Sequence, residues 1–192
     1  RLTWQKGADM IPDAAEEIVA QGGQLVVCGQ GDAAIEDALR DCAWRHPERV
    51  SVHIGYSEEL AHLIVSGCDV LMQPSRFEPC GLTQLYAMRY GAIPLVGRTG
   101  GLSETIIDAN EAAMSRAVAT GFQFHPIEPH SFREAVRRAC EAFRDREAWA
   151  GLQRQAMKAD FSWDRSASQY AQLFEALHAA WQTAQPRERR SC

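Results

Sequence analysis

The chain has 192 residues, of which 46% are hydrophobic and 23% are charged, and its formal net charge is −5. These proportions are typical of a soluble globular protein with one domain and at most a small appendage, and they exclude a disordered or fibrous chain. No apolar run approaches the ~20 residues that a membrane span needs, and no signal peptide opens the chain. Because the net charge also argues against polyanion binding, we expect neither a membrane nor a nucleic acid as a partner.

The cysteine pattern favours reduced thiols in a cytoplasmic protein over a disulfide framework or a zinc site. No Cys-x-x-Cys pair occurs, and several cysteines lie inside apolar runs. The six histidines have no metal-ligand spacing, so we expect no metal. A basic cluster in the tail after Pro186, formed by Arg187, Arg189 and Arg190, is better explained as a solvated chain end than as a nucleic-acid contact. The cysteines are Cys28, Cys42, Cys68, Cys80, Cys140 and Cys192.

Short apolar runs, glycine-bearing turns and longer amphipathic stretches alternate along the chain, which predicts alternating strands and helices. The first predicted helix covers about 10–21, with Pro12 in its first turn, where the missing N–H costs little. A capping box of Ser131 and Glu134 predicts a later helix start. The predicted strands are 24–28, 50–54, 69–73, 93–96 and 122–124. The other predicted helices are 33–45, 58–68, 82–90, one starting near Ser103, one starting at Ser131, 146–158, and one after 160–163 that runs to about Trp181.

This alternation predicts an α/β fold with a parallel sheet covered by helices on both faces. In such a sheet a ligand lies outside the carboxyl ends of the strands, at the loops that lead into the helices. Loops 29–32, 55–57, 74–81 and 97–101 all follow predicted strands. We therefore expect these four loops to share one edge of the sheet and to form one site.

Two cations, Arg1 and Lys6, precede the first predicted helix. A helix N-terminus attracts anions through its free N–H groups and its dipole, and added Arg and Lys side chains would complete a phosphate site. Two solvated surface cations would give the same pattern. The spacing alone leaves both interpretations open.

Loop 74–81 carries the most informative residues. The Glu78 carboxylate could hold sugar hydroxyls or face a developing positive charge, but an acid that favours the dipole of the next helix is equally compatible. Gly81 would let the backbone approach a bound group closely. Cys80 is better explained as a small apolar filler than as a nucleophile, because no histidine lies near it in the sequence.

The remaining loops carry weaker signals. The 29–32 turn is either a weak nucleotide loop or a tight turn in which Asp32 caps the next helix. The glycine pair in Arg98–Leu102 could free backbone N–H groups for an oxyanion, or could serve a plain turn. Tyr56 could stack on a base or be a surface aromatic. No nucleophile-elbow or P-loop motif occurs, which argues against a hydrolase or a P-loop enzyme.

Taken together, these stretches resemble the C-terminal half of bacterial glycogen synthase and plant starch synthase. The resemblance runs in order from the first residue to about Leu177, and its thirteen-residue central segment is highly specific. One departure is Tyr86, which stands where many related glycosyltransferases carry a second glutamate. The matching segments are Arg1–Gly7, 54–56, 74–86, 98–102 and 160–163.

The resemblance implies a C-terminal Rossmann-like domain of a GT-B glycosyltransferase. Such an enzyme transfers glucose from ADP-glucose, as substrate, to the non-reducing end of an α-1,4-glucan acceptor with retention, without a metal or another cofactor. Arg1 and Lys6 would neutralise the departing diphosphate, and Glu78 would contact the donor glucose and the cationic transition state. The donor-binding residues would be Tyr56, Cys80, Gly81, Leu82, Thr83, Thr99, Gly100 and Gly101.

The resemblance also implies a domain organisation. Residues 1–160 would form the nucleotide-sugar-binding domain, 161–182 a helix that packs back toward a missing N-terminal domain, and 183–192 a polar tail. That N-terminal domain and the central strand that should precede Arg1 are absent from the sequence. We therefore expect the isolated chain to bind nucleotide without elongating glucan. A nucleotide-sugar-binding module without activity and a GT-B transferase that uses a UDP-sugar are the alternatives.

Overall fold

Parallel strands and intervening helices form the first of two units in the computed structural model, which describes residues 1–184. The first unit is Arg1–Ala159 and the second is Asp160–Cys192. The strands are β1 (Leu25–Gly29), β2 (Val50–Ile54), β3 (Val70–Gln73), β4 (Ile93–Gly97) and β5 (Phe122–Phe124). The helices are α1 (Ile11–Ala20), α2 (Ala33–Arg45), α3 (Glu58–Gly67), α4 (Thr83–Tyr90), α5 (Gly100–Thr105), α6 (Glu111–Ser115), α7 (Pro129–Arg144), α8 (Arg146–Lys158) and α9 (Trp163–Ala184).

The strands pair as two parallel sheets, one of β1 and β2 and one in the order β3-β4-β5. The sequence predicts a single sheet, so this division is a correction. Within the described part of the chain, no ladder joins β1 to β3. In the β1–β2 register Leu25 pairs with Val50, and in the β3–β4 register Val70 pairs with Ile93. The parallel pairing brings the carboxyl ends of neighbouring strands to the same edge.

The core of the first unit is centred on β4, in which every residue is buried. Successive side chains of a strand point to opposite faces, so complete burial means that helices cover both faces at β4. Phe124 of β5 packs against Phe132 of α7, with ring centroids 5.2 Å apart. Trp149 of α8 stacks on Phe122. The predicted parallel α/β architecture is confirmed.

Two predicted helix starts are wrong, and each error has a local cause. Helix α7 begins at Pro129, whose fixed φ suits the first helical position, so Ser131 lies inside the helix and does not cap it. Helix α5 begins at Gly100 and not near Ser103, because the amides of Leu102 and Ser103 both donate to the Thr99 carbonyl. The short helix α6 has no counterpart among the predicted elements.

The second unit contains α9, which carries large exposed apolar side chains along its length. The expectation that residues 161–182 pack against an N-terminal domain stays a prediction. Residues 185–192, which include the three tail arginines, Cys192 and most of the predicted polar tail, lie outside the described residues. Of the helices in residues 1–184, none is both long and apolar enough to cross a membrane. The exposed apolar residues of α9 are Trp163, Tyr170, Leu173, Phe174, Leu177 and Trp181.

Candidate functional site

A lysine and a glutamate from distant parts of the sequence form an ion pair at the carboxyl edge of β3. The Nζ atom of Lys6 lies 2.5 Å from Oε2 of Glu78. The Glu78 side chain is 9% exposed and the Lys6 side chain is 29% exposed, so this charge pair is largely shielded from bulk water. The same Oε2 also accepts longer hydrogen bonds from Gln73 Nε2 and Ser75 Oγ, both at 3.4 Å. The structure therefore brings together Lys6 and Glu78, which the sequence separates by 72 positions.

The backbone before α1 places Lys6 at this edge. Lys6 ends a 3-10 turn, Trp4–Lys6, and a second 3-10 turn, Ala8–Met10, separates it from α1. Gly7 joins the two turns with a φ of 68°, and a Cβ atom at Gly7 would lie 1.9 Å from the Pro74 carbonyl oxygen. The absence of a side chain at Gly7 thus lets this segment approach the β3–α4 loop. Lys6 therefore pairs with the Glu78 carboxylate, and the Ala8–Met10 turn separates it from the start of α1.

Arg1 and Leu2 connect the same segment to the loop after β1. Leu2 is buried, its amide donates to the Gln30 carbonyl, and the Asp32 amide donates to the Leu2 carbonyl. The Arg1 side chain makes no hydrogen bond or ion pair with the other described residues, 1–184.

The turn at 29–32 serves close backbone packing. A Cβ atom at Gly31 would lie 2.0 Å from the Leu2 carbonyl oxygen, so glycine is needed where the two segments meet. Asp32 takes the N-cap position of α2, but its side chain makes no capping hydrogen bond. Instead, the Glu36 carboxylate accepts from the Gly31 amide at 2.9 Å. Of the two interpretations of this turn, the structure favours the tight strand-to-helix turn.

The glycine pair after β4 packs directly on the Glu78 loop. A Cβ atom at Gly100 would lie 2.2 Å from the Glu78 carbonyl oxygen, and one at Gly101 would lie 2.4 Å from the Cys80 carbonyl oxygen. The Gly101 amide donates to the Glu78 carbonyl at 3.1 Å, and the Thr99 amide donates to Gly97 at 2.8 Å. These amides are therefore occupied within the protein. The pair brings loop 97–101 against loop 74–81, as predicted from the shared strand edge.

The segment from Cys80 to Thr83 leads into α4. Gly81 has a φ of 76°, and the buried Gln84 side chain fixes this turn by donating to the carbonyls of Cys80 and Gly81, at 3.1 and 3.0 Å. Cys80, Leu82 and Thr83 are exposed at the start of the helix. The first amides of a helix have no partner within it, so this end can present N–H donors to a ligand.

Tyr56 is not joined to the other predicted residues. It follows β2 and is 82% exposed, and no ring contact or hydrogen bond of its side chain occurs within the described range 1–184. The Gly55 amide before it donates to the Gly29 carbonyl at 3.0 Å, which places this loop beside the loop after β1. The predicted stacking of Tyr56 on a base stays a prediction.

Sequence reasoning missed several residues that build this site. Gln73 and Ser75 donate to Glu78, Gln84 fixes the turn at Gly81, and Arg76 contacts Asp9 at 2.6 Å. Gln73 had a usable signal, because it is a polar residue at the carboxyl end of a strand, where ligands of parallel sheets lie. The Arg76–Asp9 contact had none, since nothing local links residues 67 positions apart.

The side-chain clusters that bind metal ions in proteins consist mainly of His, Cys, Asp and Glu. Across residues 1–184, no group of three or more His, Cys, Asp or Glu side chains is placed to hold a metal ion. The charged side chains that the structure pairs at this site are Lys6 and Glu78. The expected independence from a metal stays a prediction.

The family of the chain follows from comparison with known proteins. A family model described as "Glycosyl transferases group 1" matches residues 1–155. The chain belongs to this family. As a glycosyl transferase of group 1, it carries Lys6, Glu78 and the glycine pair within the matched region.

Curated relatives of this group 1 chain include bacterial glycogen synthases. Glycogen synthase 2 of Agrobacterium fabrum is 59% identical over 177 residues, which cover 92% of this chain and 35% of the relative. Glycogen synthase of Rhizobium johnstonii is 56% identical over 177 residues, which cover 92% of this chain and 37% of that protein. The chain thus spans about a third of the length of these relatives.

A solved structure shares the fold. The catalytic domain of starch synthase IV from Arabidopsis thaliana, bound to ADP and acarbose, matches with a TM-score of 0.82 at 35% identity. The match covers 92% of this chain and 36% of the starch synthase chain. The resemblance to the glycogen and starch synthases and the predicted GT-B type of fold are confirmed.

Proposed function

We propose that this chain is the donor-binding part of a glucosyltransferase that uses ADP-glucose to extend an α-1,4-glucan with retention, as in glycogen synthesis. The Lys6–Glu78 pair at the carboxyl edge of β3 is the observation that carries this proposal. It sets a cation and a carboxylate one hydrogen bond apart, at the edge where ligands of parallel sheets bind. Glucosyl transfer calls for a carboxylate near the sugar and a cation near the diphosphate, because opposite charges develop on these neighbouring groups of the donor.

The charges match the reaction. The bond from C1 of glucose to the β-phosphate oxygen breaks, and its electron pair leaves on the diphosphate. The acceptor hydroxyl oxygen would bond to C1 and pass its proton to the departing diphosphate. Positive charge therefore develops at C1 and the ring oxygen while negative charge develops on the departing phosphate. Glu78 would face the sugar, and Lys6 with Arg1 would face the diphosphate.

The other predicted residues complete the donor site in this proposal. Amides at the start of α4, in Cys80–Thr83, would line the sugar and phosphate, and Thr99, Gly100 and Gly101 would border them. Tyr56 would lie near the adenine. With Lys6, Arg1 and helix amides to carry the phosphate charge, the proposed reaction uses no metal and no cofactor.

The relatives support the choice of nucleotide and reaction. Those at 59% and 56% identity are named glycogen synthases, and the starch synthase structure is described as bound to ADP. Because the chain spans about a third of these relatives, we assign the acceptor surface to a further domain that would complete the cleft. In this proposal the chain alone binds donor but does not elongate glucan, and it acts in the cytoplasm, in keeping with free cysteines at five described positions.

A titration of the 192-residue chain tests the nucleotide assignment. Isothermal calorimetry with ADP, UDP and their glucose derivatives should give saturable binding of ADP and ADP-glucose and much weaker binding of the uridine compounds. Tighter binding of UDP-glucose would support a transferase that uses a UDP-sugar. Absence of binding to all four compounds would contradict the proposal. Incorporation of glucose from ADP-glucose into glycogen by a full-length synthase carrying this chain would separate an enzyme from an inactive binding module.

The reactivity of the Cys80 thiol can be used to detect donor binding at this site. We expect iodoacetamide to label Cys80 first among the cysteines in residues 1–184, because its side chain is exposed and Cys42 is fully buried. Burial raises the pKa of the Cys68 and Cys140 thiols, which leaves less reactive thiolate at these positions. ADP-glucose should slow labelling of Cys80 alone, as followed by peptide mass spectrometry. An unchanged Cys80 rate at saturating donor would place the donor elsewhere.

A further inference from the structure

We infer that Arg76 is a positioning residue that holds the Lys6 turn against the Glu78 loop, so that Lys6 meets the diphosphate of the donor. This inference rests on the proposed function. It assigns a role to a side chain that lies between Ser75 and Glu78 but does not itself contact either charged partner of the Lys6–Glu78 pair. Its observable consequence is that Arg76 affects diphosphate binding only through Lys6.

The guanidinium of Arg76 grips Asp9 with two parallel hydrogen bonds. Nη1 donates to Oδ1 at 2.6 Å, and Nη2 donates to Oδ2 at 2.8 Å. Such a fork-to-carboxylate contact fixes orientation as well as distance, which a single contact between point charges does not. The Arg76 side chain is 19% exposed, so water competes little for these bonds.

Arg76 also contacts the turn on the other side of Lys6. Nη1 donates to the Trp4 carbonyl at 2.7 Å, and the guanidinium carbon lies 4.5 Å from the centroid of the Trp4 ring. The Arg76 amide donates to the Gln5 carbonyl at 2.9 Å. One residue of the β3–α4 loop therefore contacts Trp4, Gln5 and Asp9, which flank Lys6 in the sequence.

These contacts matter because Lys6 has a long, flexible side chain. A cation of that kind is useful in catalysis only where its backbone is fixed, since losing rotamer freedom opposes binding. The Lys6 segment lies outside the sheet ladders, and the close approach of Gly7 to the Pro74 carbonyl restricts its distance from the β3–α4 loop but leaves the turn free to rotate. The Arg76 fork and the stacked Trp4 supply that missing constraint.

The geometry also separates positioning from direct ligand binding. Both terminal nitrogens of Arg76 are engaged by Asp9 and Trp4. An Arg76 that bound phosphate itself would have to use its two remaining N–H donors, on Nη2 and Nε, while the Asp9 fork holds the guanidinium in place. In that case Arg76 and Lys6 would be independent phosphate ligands, and the energetic effects of removing them would add.

A double-mutant cycle on the 192-residue chain tests the inference, with Arg76→Lys, Lys6→Ala and the double variant. Arg76→Lys keeps the positive charge but loses the bidentate contact with Asp9, and we expect it to weaken ADP binding about 10-fold. In the Lys6→Ala background the same change should have less than ~3-fold effect, because coupled residues are non-additive. Binding of adenosine, which has no phosphate, should change in none of the variants. Calorimetry measures each affinity.

Two further variants separate positioning from loss of structure. Arg137→Lys alters a similar contact, in which Arg137 bonds both carboxylate oxygens of Glu17 between α7 and α1, and it should leave ADP affinity unchanged. Asp9→Asn breaks the same fork from the carboxylate side and should weaken ADP binding as Arg76→Lys does. It provides the test if Arg76→Lys is poorly folded. Urea unfolding of every variant shows whether a loss of affinity follows a loss of stability.

The outcomes distinguish the inference from the function on which it rests. Absence of ADP binding by the unaltered chain would overturn both. Binding that Lys6→Ala weakens but Arg76→Lys and Asp9→Asn leave intact would overturn the inference alone. Additive losses in the double variant would also overturn it, because they would make Arg76 an independent ligand. Equal losses of affinity for ADP and adenosine would also overturn the inference, because they would show that Arg76 supports the fold in general and not the position of Lys6.

Discussion

Lys6→Ala is expected to lower the rate of glucosyl transfer by ~10²–10³, the usual effect of removing one preorganised group that stabilises transition-state charge. The measurement is the initial rate of glucose incorporation from ADP-glucose, in a full-length synthase in which this chain replaces the homologous third. Lys6 is the cation placed against Glu78, 2.5 Å from its carboxylate. Its loss leaves the departing diphosphate without that charge, while substrate binding to the rest of the donor site persists.

The same substitution also affects stability, and a second variant separates the two effects. Lys6→Ala leaves the buried Glu78 carboxylate without its cation, which should cost about 1–3 kcal/mol of the free energy of unfolding. Adding Glu78→Gln removes the unpaired charge, so the Lys6→Ala/Glu78→Gln protein should regain much of that stability. It should regain none of the activity, because both charges that serve the reaction are then absent.

Urea unfolding and initial rates, measured on the same preparations, give both quantities. Arg137→Ala is a suitable control, since Arg137 contributes an ion pair with Glu17 away from the loops at the sheet edge. It should leave the transfer rate unchanged. A near-normal rate for Lys6→Ala, or recovery of the rate in the double variant, would count against the assigned role of Lys6.

Gly7→Ala should lower the free energy of unfolding by about 2–4 kcal/mol, a large effect for one methyl group. Two physical causes combine here. Gly7 has a φ of 68°, which costs a residue with a side chain about 1–2 kcal/mol. The new Cβ atom would also lie 1.9 Å from the Pro74 carbonyl oxygen, so the Lys6 turn must move away from the Glu78 loop. We expect ADP affinity to fall with stability.

Gly22→Ala is the matched control for this prediction. Gly22 has a similar φ of 82°, but nothing lies within 4 Å of the position that its Cβ would take. It should therefore show only the backbone cost of about 1–2 kcal/mol and no change in ADP affinity. The difference between the two variants measures the close approach at Pro74. Equal stability losses, with ADP binding intact in both, would show that this approach does not shape the site.

Local patterns predicted most of the elements in the first unit. The apolar runs and turn residues around β1, β2 and β5 set their positions, because a buried strand needs consecutive apolar residues and a stop. Helix α8 likewise has the bounds that its spacing predicts. The two wrong helix starts lie at Pro129 and Gly100, where backbone restrictions and hydrogen bonds of the neighbouring residues decided between alternatives that the pattern could not rank.

The functions of the glycines illustrate what a sequence leaves undecided. The pair at Gly100 and Gly101 was compatible with free phosphate-binding amides or with a plain turn. In the structure, the pair allows two loops to touch, with the Gly101 amide bound to the Glu78 carbonyl. Only the position of the second loop could show this, because a glycine in the sequence does not reveal whether a close neighbour, a positive φ or neither requires it.

The sequence by itself determined the alternation of strands and helices, the edge at which the loops gather, and the residue types available there. It did so because hydrophobic periodicity is a property of short stretches of chain, and because strands that alternate with helices pair in parallel with their carboxyl ends at one edge. The tertiary structure alone decided that Lys6 pairs with Glu78 and that Arg76 grips Asp9, and it divided the strands into two sheets. Those contacts join residues 67 to 72 positions apart, and they exist only after packing has brought their backbones together, so no local pattern encodes them.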